Sequence, residues 1–550
     1  MAGTKRGYRG CRRWLRLHDL RLPLAGMHSA AEEEALLLRR AAAGCGVAPA
    51  SVLELRLVKK SLDARDKGRL RFVYTVDVLA AGGHGEIAPQ EEPLTVACCA
   101  AHGGPRPYVL GAGPAGLFAA WVLASAGLRP VVIEQGRDVQ QRSDYVERFW
   151  RQGRLDPDCN IQFGEGGAGA FSDGKLTSRS KDPLVREVLR LLIDAGAEPS
   201  IAWWHKPHLG SDRLPAIIAN LRQRIAALGG DFLFTTTLSG LLRHQGGLCG
   251  LLLRDAAGIT HEVAAEVLIL APGNGGRQIY RLLAAEGIAL AAKPFAVGLR
   301  IEQEQAAIDR AQYGSFAQHP LLSAADYGLT YHDTAAARGI YTFCNCPGGF
   351  VVNASSEADG LLVNGMSLAA RDSGRANAAV VVQVMPERDF GAGPLDGMAY
   401  QEKLERAAFA LGGGGHCLPV MAVESFLCGA AADGLSRSTA CTAAKREADL
   451  RTLFPAEIYQ GICAALRHWQ HQLPGFLDQA VLAAVESRTS APLRILRGED
   501  HVSLNCAGLY PAGEGAGYAG GIVSSAVDGM RAALAVLARY DRAHIPATAE

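Results

Sequence analysis

The chain contains one stretch that decides its fold: Tyr108-Val109-Leu110-Gly111-Ala112-Gly113-Pro114-Ala115-Gly116. A short apolar strand enters a glycine turn, and Leu117 to Gly127 predicts the helix that follows. Residues 130–133 predict a second strand, which brings Glu134 to its end. In such a unit the glycines allow a tight turn, close approach of backbone to a pyrophosphate, and close helix–strand packing. Strand, helix, second strand and acid together predict a dinucleotide site, with Glu134 accepting hydrogen bonds from an adenosine ribose.

A second stretch near the end of the chain repeats this logic. Residues 508–521 carry a strand, an acid (Glu514) and several glycines, and a long helix is predicted from Ile522 to about Tyr540. One dinucleotide with two such contacts predicts FAD rather than NAD, with Glu514 reaching the ribityl chain. The dipole of the last helix would favour the negative charge on the pyrimidine ring of a reduced flavin.

A glycine-rich segment from Asn160 to Leu176 is the most unusual part of the sequence. Each glycine inside a strand or helix costs roughly 0.5–1 kcal/mol, so the segment predicts a loop whose backbone approaches a ligand. A flexible surface loop is the alternative, which Phe163 and Phe171 at its two ends do not favour. Val263 to Leu270 predicts one strand returning to the parallel sheet. The predicted FAD contacts are Gly111, Gly113, Pro114, Ala115, Gly116, Glu134, Gln135, Gly166, Gly167, Gly169, Lys175, Ala271, Gly273, Gly513, Glu514, Gly520, Gly521 and Ile522.

The composition is that of an ordinary globular protein of two to four domains. The 550 residues carry a net charge of +1, which argues against a surface that coats nucleic acid. No apolar run approaches the ~20 residues of a membrane span. The N-terminal arginines are not followed by an apolar segment, so no secretory signal is expected. Thirteen scattered cysteines do not predict a disulfide framework. We therefore expect a protein of the reducing cytoplasm.

The order of the segments predicts an α/β fold with a discontinuous, Rossmann-like, parallel FAD/NAD(P)-binding sheet. A small basic α+β module precedes it, and an α+β substrate domain is inserted. The insertion is predicted to form a lid over the flavin, with Gly164 to Lys175 lining the cleft beneath. The predicted ranges are 1–100 for the module, 106–294 and 489–550 for the FAD domain, and 295–488 for the insertion.

The N-terminal module is predicted to contain three strands, one helix and a basic hairpin that spans Lys59 to Arg71. A solvated hairpin face is the favoured interpretation of these cations, and binding of RNA or an acidic partner is the alternative.

Several stretches resemble a known family, the uncharacterised FAD-utilising dehydrogenases with a glutathione-reductase-type FAD fold and a small N-terminal module. The resemblance implies a discontinuous FAD domain and an unestablished substrate. Gln303 and Met421 stand where that family usually has His and Gln, so specificity differs here if these positions touch substrate. The stretches that carry the resemblance are residues 59–65, 162–176, 206–208, 344–349, 486–490 and 510–521.

Two cations and one histidine are candidates for chemistry, because the flavin itself does the redox work. Lys175 and Arg488 are predicted near the ring or the substrate, with surface salt bridges as the alternative. His208 is a candidate acid or base, although a loop histidine is more often a structural hydrogen-bonding group.

Cys344 and Cys346 are candidate redox residues. Two residues apart, they share a face of an extended segment, and Pro347-Gly348-Gly349 follows as a turn. Backbone N–H groups of that turn could hold Cys346 as a thiolate, which predicts a thiolate–flavin charge-transfer band. Two small residues packed under a turn are the alternative. No second Cys or His pair has zinc spacing, so no metal site is predicted.

The favoured function is an FAD-dependent dehydrogenase or reductase acting on an unidentified small molecule, with NAD(P)H as a candidate transient electron donor. A flavin monooxygenase is one alternative. An FAD-binding RNA-modification or partner-binding protein, using the hairpin from Lys59 to Arg71, is another.

Overall fold

The fold is described from a computed structural model that covers residues 12–89, 92–98, 105–178, 180–430 and 436–543. The chain divides into two compact units. The first unit takes the described N-terminal residues to Pro93 with two later segments, Pro199–Pro207 and Asp309–Ala325. The second unit takes the rest of the chain. The sequence did not predict that the two later segments belong to the first unit, because neither has the pattern of a strand. The four predicted domain ranges stay a prediction.

An antiparallel sheet and one helix form the N-terminal part of the first unit. Its elements are β1 (Arg12–Pro23), α1 (Ala30–Cys45), β2 (Val52–Asp63), β3 (Arg71–Ala81) and β4 (Glu86–Ile87). The strand order is β2-β3-β1-β4. Alternate residues of β3 from Phe72 to Ala80 are buried, as expected of a strand with one covered face. The Ser29 side chain caps the start of α1, and Gly46 ends it in the left-handed conformation.

The predicted basic hairpin is shorter than the sequence suggested. Strand β2 continues to Asp63, so Lys60 is a strand residue, and its Nζ lies 2.5 Å from Glu33 Oε1. In the turn itself, Arg65 and Arg71 both pair with Asp63. These cations have carboxylate partners within their own unit, which favours the solvated hairpin. Nucleic-acid binding stays a prediction.

A five-stranded parallel sheet is the centre of the second unit. Its strands are β5 (Tyr108–Leu110), β6 (Val131–Ile133), β7 (Asp231–Leu233), β11 (Leu268–Leu270) and β23 (Leu509–Pro511). They are arranged in the order β23-β11-β5-β6-β7, with every neighbouring pair parallel. Strands β6, β11 and β23 are buried along their whole length, as is typical of parallel strands covered on both faces. The predicted Rossmann-like fold is confirmed.

Helices accompany this sheet. They are α2 (Pro114–Ser125), α3 (Val139–Gln152), α4 (Leu184–Asp194), α5 (Leu214–Ala227), α6 (Arg277–Ala285) and α11 (Ile522–Ala543). Helix α2 is buried on nearly every side and packs against α11 and α5. A Cβ on Gly529 of α11 would overlap the backbone of Ala115. The first and last helices of the FAD-binding region therefore touch backbone to backbone.

The predicted strand from Val263 to Leu270 is two strands in different sheets. The first belongs to an antiparallel sheet of order β10-β9-β8, formed by β8 (Thr237–His244), β9 (Gly247–Arg254) and β10 (Thr260–Ala264). The second is β11, in the parallel sheet. Ala265 and Val267 between them are buried, so the apolar run continues through the break and hides it from the sequence.

The inserted segment forms a sheet of its own within the second unit. It has the order β14-β15-β18-β13-β21-β19-β20, and β16 pairs with β17 and β12 with β22. Long strands β13 and β18 run antiparallel at its centre and are almost entirely buried. The bounds are β12 (Leu290–Ala292), β13 (Phe295–Glu304), α7 (Gln305–Tyr313), β14 (Thr330–Asp333), β15 (Arg338–Cys346), β16 (Phe350–Asn353), β17 (Val363–Met366), β18 (Arg375–Val384), α8 (Asp396–Leu411), β19 (Leu418–Ala422), α9 (Val423–Cys428), β20 (Lys445–Glu447), α10 (Ala456–Gln472), β21 (Val481–Glu486) and β22 (Leu493–Ile495).

Candidate functional site

Four segments predicted to contact FAD leave the same edge of the parallel sheet. Strand β5 leads into Gly111, β6 into Glu134, β11 into Ala271, and β23 into the turn before Gly513. Carboxyl ends of neighbouring parallel strands meet at one edge, and open α/β sheets bind ligands there. The structure thus brings together predicted residues that are far apart in sequence.

Glycine is required by packing at several of these positions. A Cβ on Gly111 would overlap the carbonyl oxygen of Ala271, and one on Gly116 would overlap that of Gly111. Gly111 also has a φ of 95°, which L side chains rarely adopt. A Cβ on Gly513 would lie 2.8 Å from the Cβ of Ala115. These glycines join the two FAD motifs and β11 into one rigid edge.

At other glycine positions the structure leaves space for a side chain. A Cβ on Gly113 would lie 3.7 Å from Gly167 Cα, an ordinary contact. Gly273 and Gly520 would place a Cβ with nothing within 4 Å among the described atoms. Packing inside the protein therefore does not require glycine at these positions, although the left-handed φ of 68° favours it at Gly273. A ligand that approaches the backbone closely, such as a pyrophosphate, does require it.

Each helix of the FAD motifs begins directly after a glycine, so no N-cap side chain fills its N-terminus. Gly113 is the N-cap of α2 and, in the described chain, no side chain caps it; Pro114 is the first helical residue. In α11 the N–H of Ser525 bonds to Gly521, so the N–H groups from Ile522 to Ser524 precede the helical ladder. Open helix N-termini attract anions. Both ends fit FAD, α2 at the pyrophosphate and α11 at the pyrimidine ring.

Glu134 is placed at the end of β6, but its carboxylate already accepts three backbone hydrogen bonds. Oε2 accepts from Ala112, and Oε1 accepts from Gly136 and Gly164, each at 2.9 Å. A carboxylate has about four acceptor positions, so at most one remains for a ribose. Its main structural effect is to join the first motif to the glycine-rich loop. The neighbouring Gln135 bonds instead to Asp158 at 2.9 Å.

Arg142 holds the glycine-rich loop and was missed by the sequence interpretation. Its fully buried guanidinium donates to five carbonyl oxygens, at distances of 2.7–3.1 Å. Burial lowers the pKa of Arg142 to about 10, against the attraction of Glu134 and other nearby groups. The signal was present in the sequence, because Arg142 falls on the apolar face of α3 with Val139, Val146 and Phe149. The carbonyls belong to Asn160, Ile161, Gly164, Glu165 and Gly167.

The rest of the glycine-rich loop fits between two helices. A Cβ on Gly166 would lie 2.5 Å from Ile218 of α5, and one on Gly169 would lie 3.0 Å from Ile522 at the start of α11. The loop is therefore packed rather than a free surface loop, and it reaches the helix end that the flavin is predicted to approach.

Lys175 follows this loop and lies in a buried polar cluster. Its Nζ is 2.9 Å from Asp173 Oδ2 and 3.9 Å from Cys346 Sγ. Arg371 also pairs with Asp173 at 2.7 Å. Burial acts to lower the pKa of Lys175, but the thiols of Cys346 and Cys344 and the carboxylate of Asp173 outweigh it and raise that pKa. Despite its burial, the pKa of Asp173 is held at about 2 by the two cations. Lys175 is therefore a fixed positive charge beside a thiol.

Cys344 and Cys346 lie together at the end of β15, where the strand is irregular. The pairing register with β18 shifts between Phe343 and Cys346, and Cys344 has a left-handed φ of 46°. Cys346 is fully buried, whereas Cys344 is half-buried. The Cys346 thiol donates to the backbone carbonyl oxygen of Cys344 at 3.3 Å. The structure thus places the predicted pair side by side and gives its two members different exposure.

The cations, rather than the turn, stabilise negative charge on these thiols. The N–H groups of Gly348 and Gly349 bond to Gln305 and to the carbonyl of Arg375, so the predicted N–H contacts to Cys346 are wrong. The hydrogen bond from Cys346, together with Lys175 and Arg300, lowers the pKa of Cys344 well below its ordinary value. The same bond raises the pKa of Cys346. Negative charge on the pair is therefore favoured at Cys344.

Arg300 is a second cation at this pair that the sequence interpretation did not single out. Its Nη1 lies 4.0 Å from Cys346 Sγ and 2.7 Å from Asn377 Oδ1, and its Nε lies 2.9 Å from Glu486. It is fully buried in β13. Burial raises the pKa of Glu486, against the attraction of Arg300.

Arg488 lies in a different buried network. Its Nη2 and Nε donate to Glu405 at 2.8 and 3.0 Å, and its Nη1 donates to Ser356 at 2.9 Å. Arg277 pairs with the same carboxylate at 2.7 and 2.8 Å. These two cations hold the pKa of Glu405 at about 2, although burial acts in the opposite direction. The structure therefore gives Arg488 an ionic contact inside the fold and does not bring it to the Lys175 cluster.

Glu514 connects the second FAD motif to the thiols. Burial raises the pKa of its carboxyl to about 7, Lys293 lowers it, and the charge of Cys344 raises it further. Cys344 is thus close enough to influence Glu514 electrostatically. Asn274, which follows Gly273, donates to the Arg488 carbonyl at 3.1 Å and has a buried Oδ1 without a partner among the described atoms. This orphaned acceptor also fits a ligand beside the motif.

Three further sequence candidates have internal partners. His208 Nε2 lies 3.2 Å from the Ala369 carbonyl oxygen, and burial lowers the pKa of this histidine. Gln303 is fully buried; its amide donates to the Phe476 carbonyl at 3.3 Å and accepts from the Tyr327 hydroxyl at 2.9 Å. Met421 is also fully buried, in β19. The two departures from the family pattern therefore lie in the protein core.

Several parts of the chain match known protein families. Residues 294–489 match the model of the family "FAD-dependent protein, C-terminal domain-like", and residues 109–155 match an NAD(P)-binding Rossmann-like domain. Residues 15–79 match a domain of unknown function. An uncharacterised protein of Clostridium beijerinckii is 40% identical over 502 residues, which cover 89% of this chain and 93% of that protein. The chain belongs to this FAD-dependent family.

The cofactor of this FAD-dependent protein is FAD. The open glycines, the uncapped ends of α2 and α11 and the partnerless Asn274 oxygen all fit it.

Solved structures that are similar to this chain overlap with it only weakly. A flavoprotein/dehydrogenase from Cytophaga hutchinsonii has a TM-score of 0.35 and 11% identity, covering 78% of each chain. A glycerol-3-phosphate dehydrogenase from Bacillus halodurans complexed with FAD has a TM-score of 0.34 and 10% identity, covering 80% of this chain and 64% of its own.

No described helix has the length and apolar character needed to cross a membrane. Within the described ranges, no group of three or more His, Cys, Asp or Glu residues is placed to hold a metal ion.

Proposed function

We propose that this FAD-dependent protein is a dehydrogenase or reductase that exchanges electron pairs between its flavin and a small molecule, with NAD(P)H as the donor to be tested first. One observation carries the proposal. Lys175 Nζ lies 3.9 Å from Cys346 Sγ, and the glycine-rich loop that leads to Lys175 packs against Ile522, directly after the second FAD motif. Glu514 belongs to that motif. A cation, a thiolate and a carboxyl that titrates near pH 7 are groups that can move protons during flavin reduction.

Each group has a defined task in this proposal. Lys175 places a fixed positive charge beside the pair of thiols and is held by Asp173 at 2.9 Å. Glu514, with a pKa of about 7, can hold or release a proton in the neutral range. FAD supplies the acceptance and donation of electron pairs, and the protein binds and orients it.

Anaerobic mixing with NADH and with NADPH tests the proposal. We expect one of the two nucleotides to bleach the flavin absorbance. In air, turnover with that nucleotide should proceed without stoichiometric oxygen uptake. Substrate-stimulated oxygen consumption would indicate the monooxygenase instead. The mass of any small molecule that co-purifies with the flavin, measured under native conditions, would narrow the substrate class.

A Lys175→Met variant tests the local assignment. We expect it to keep its FAD and to be reduced at least about tenfold more slowly, since loss of one electrostatic contact of ~1.4 kcal/mol corresponds to a factor of ten. Lys181→Met, which removes an exposed cation from the same region, is the matched control and should react like the wild type. Equal rates of flavin reduction in both variants would show that Lys175 takes no part in the reaction.

A further inference from the structure

The two thiols at the end of β15 differ in what surrounds them. Cys346 is fully buried, with Lys175 Nζ at 3.9 Å and Arg300 Nη1 at 4.0 Å from its sulfur. A Cβ on Gly365 would lie 2.7 Å from the same sulfur, so the backbone of β17 closes that side. An external molecule cannot reach Cys346 through such packing.

Cys344 is the accessible member of the pair. It is half-buried, and its charge influences Glu514 in the second FAD motif. Cys346 donates a hydrogen bond to the carbonyl of Cys344 at 3.3 Å, which holds the buried sulfur against its neighbour. Cys344 is therefore the member of the pair that another molecule can reach. Lys175, beside the pair, follows the glycine-rich loop that packs against Ile522 at the start of α11.

The local backbone brings the two residues within reach of a disulfide. Two residues of regular strand span about 6.6 Å, near the upper end of the ~4.4–6.8 Å between Cα atoms in disulfides. Cys344 has a left-handed φ and the pairing register shifts between Phe343 and Cys346, so the chain here is not a regular strand. The sulfur of Cys346 lies 3.3 Å from the carbonyl oxygen of Cys344, so it is already held against the residue with which it would form the disulfide.

We propose that Cys344 and Cys346 form a reversible disulfide that exchanges an electron pair with the flavin, with Cys344 as the thiol that faces the flavin and Cys346 as the buried partner. The inference rests on the proposed function and adds a second two-electron centre to it. It also names a substrate class, a small disulfide or dithiol compound able to exchange with Cys344.

The reaction balances without a further reagent. The anionic reduced flavin gives up an electron pair and one hydrogen, and the sulfur–sulfur bond breaks. The proton goes to Cys346, and Cys344 leaves as the thiolate, so that oxidised FAD, one thiolate and one thiol are the products. Lys175 and Arg300 stabilise the charge that appears on the sulfur. The reverse step oxidises the dithiol and reduces FAD.

Anaerobic titration of the FAD-bound protein with dithionite tests this inference without any substrate. We expect the oxidised wild type to take up about four electrons per FAD, two for the flavin and two for the disulfide. Cys344→Ser and Cys346→Ser should take up about two. Cys463→Ser removes a buried thiol from α10 and should behave like the wild type. Uptake of two electrons by the wild type would overturn the inference.

Two further measurements separate the roles of the thiols. Thiol labelling and peptide mass of the oxidised protein should find residues 344–346 joined by a disulfide that reduction opens. With the flavin oxidised, a thiolate–flavin charge-transfer band should be present in Cys346→Ser, which keeps the Cys344 thiolate, and absent in Cys344→Ser. A band that survives in Cys344→Ser would overturn the assignment of the flavin-facing thiol. A four-electron wild type that NAD(P)H fails to reduce would leave this inference standing and remove NAD(P)H as the donor in the proposed function.

Discussion

Gly113 and Gly116 stand three residues apart and have different reasons to be glycine. A Cβ on Gly116 would overlap the Gly111 carbonyl, whereas one on Gly113 would make only an ordinary contact with Gly167. Gly113 also has a φ of −79°, which any residue adopts. The fold therefore needs glycine at position 116, whereas at position 113 it leaves space beside the backbone, into which a pyrophosphate would fit.

We expect Gly113→Val to fold and to lose FAD, because its side chain would occupy the space through which a pyrophosphate approaches the backbone. Flavin content after reconstitution and far-ultraviolet circular dichroism measure the two properties separately. Gly116→Ala should fail to fold. Full FAD occupancy in a folded Gly113→Val protein would contradict the assignment of this motif.

Glu514 should make the FAD-free protein less stable as the pH rises. Burial raises the pKa of its carboxyl from an ordinary 4.5 to about 7, so the folded state holds its proton more tightly than the unfolded state. The free energy of unfolding therefore falls as the pH rises from about 4.5 through about 7. We expect Glu514→Gln to be more stable than the wild type at pH 8 by about 1–3 kcal/mol in urea unfolding. Near pH 4 the two should be alike, and Glu424→Gln, at an exposed side chain, is the control.

At the scale of single elements, helix α3 holds the glycine-rich loop in place. Arg142 reaches from its apolar face to five loop carbonyls, and Glu134 at the end of β6 binds the N–H of Gly164. A loop so rich in glycine has a high entropic cost of ordering. These two side chains supply the hydrogen bonds that offset that cost, so the loop is an ordered part of the site.

We expect Arg142→Gln to lose FAD and to lower the free energy of unfolding by at least about 3 kcal/mol, because buried carbonyls left unpaired cost ~1–3 kcal/mol each. Urea unfolding and flavin content measure the two effects. Arg148→Gln removes an exposed arginine from the same helix and should change neither. A stable, flavin-bound Arg142→Gln protein would show that the loop is held by other contacts.

At the scale of the whole molecule, Glu405 ties the inserted segment to the FAD-binding elements. It lies on α8, and it pairs with Arg277 at the start of α6 and with Arg488 beyond the end of β21. Three segments distant in sequence thus share one buried carboxylate. Removing a partner from such a network leaves an uncompensated buried charge.

Glu405→Gln should therefore lower the free energy of unfolding at pH 7 by about 3–5 kcal/mol. The folded-state pKa of Glu405 is depressed to about 2 from an ordinary 4.5, so its contribution is present above about pH 4.5 and is lost as the pH falls toward 2. The difference between variant and wild type should shrink from pH 7 to pH 3. Glu424→Gln, a surface pair with Arg437, should cost at most about 1 kcal/mol at either pH.

The sequence by itself determined the FAD-binding architecture of this protein. Glycine turns that follow buried strands place a local requirement on the backbone, and each of the two motifs also carries an acid. Residues 108–116 and 508–522 could therefore be recognised from the sequence without knowing which residues they contact. The same local signals gave the helices near their observed bounds. They failed for residues 263–270, where one apolar run passes through two sheets.

Only the tertiary structure decided which charged and thiol side chains meet. Lys175 could have been a surface cation, and it lies against Cys346; Arg488 could equally have formed a surface salt bridge, and it pairs with the buried Glu405. Nothing in the local sequence pointed to Arg300 beside the thiols. A side chain's partner depends on which strands and helices pack together, and those contacts join residues far apart in the chain. Local propensity carries no information about such contacts, whereas the backbone demands of a glycine turn are local and can be recognised from the sequence.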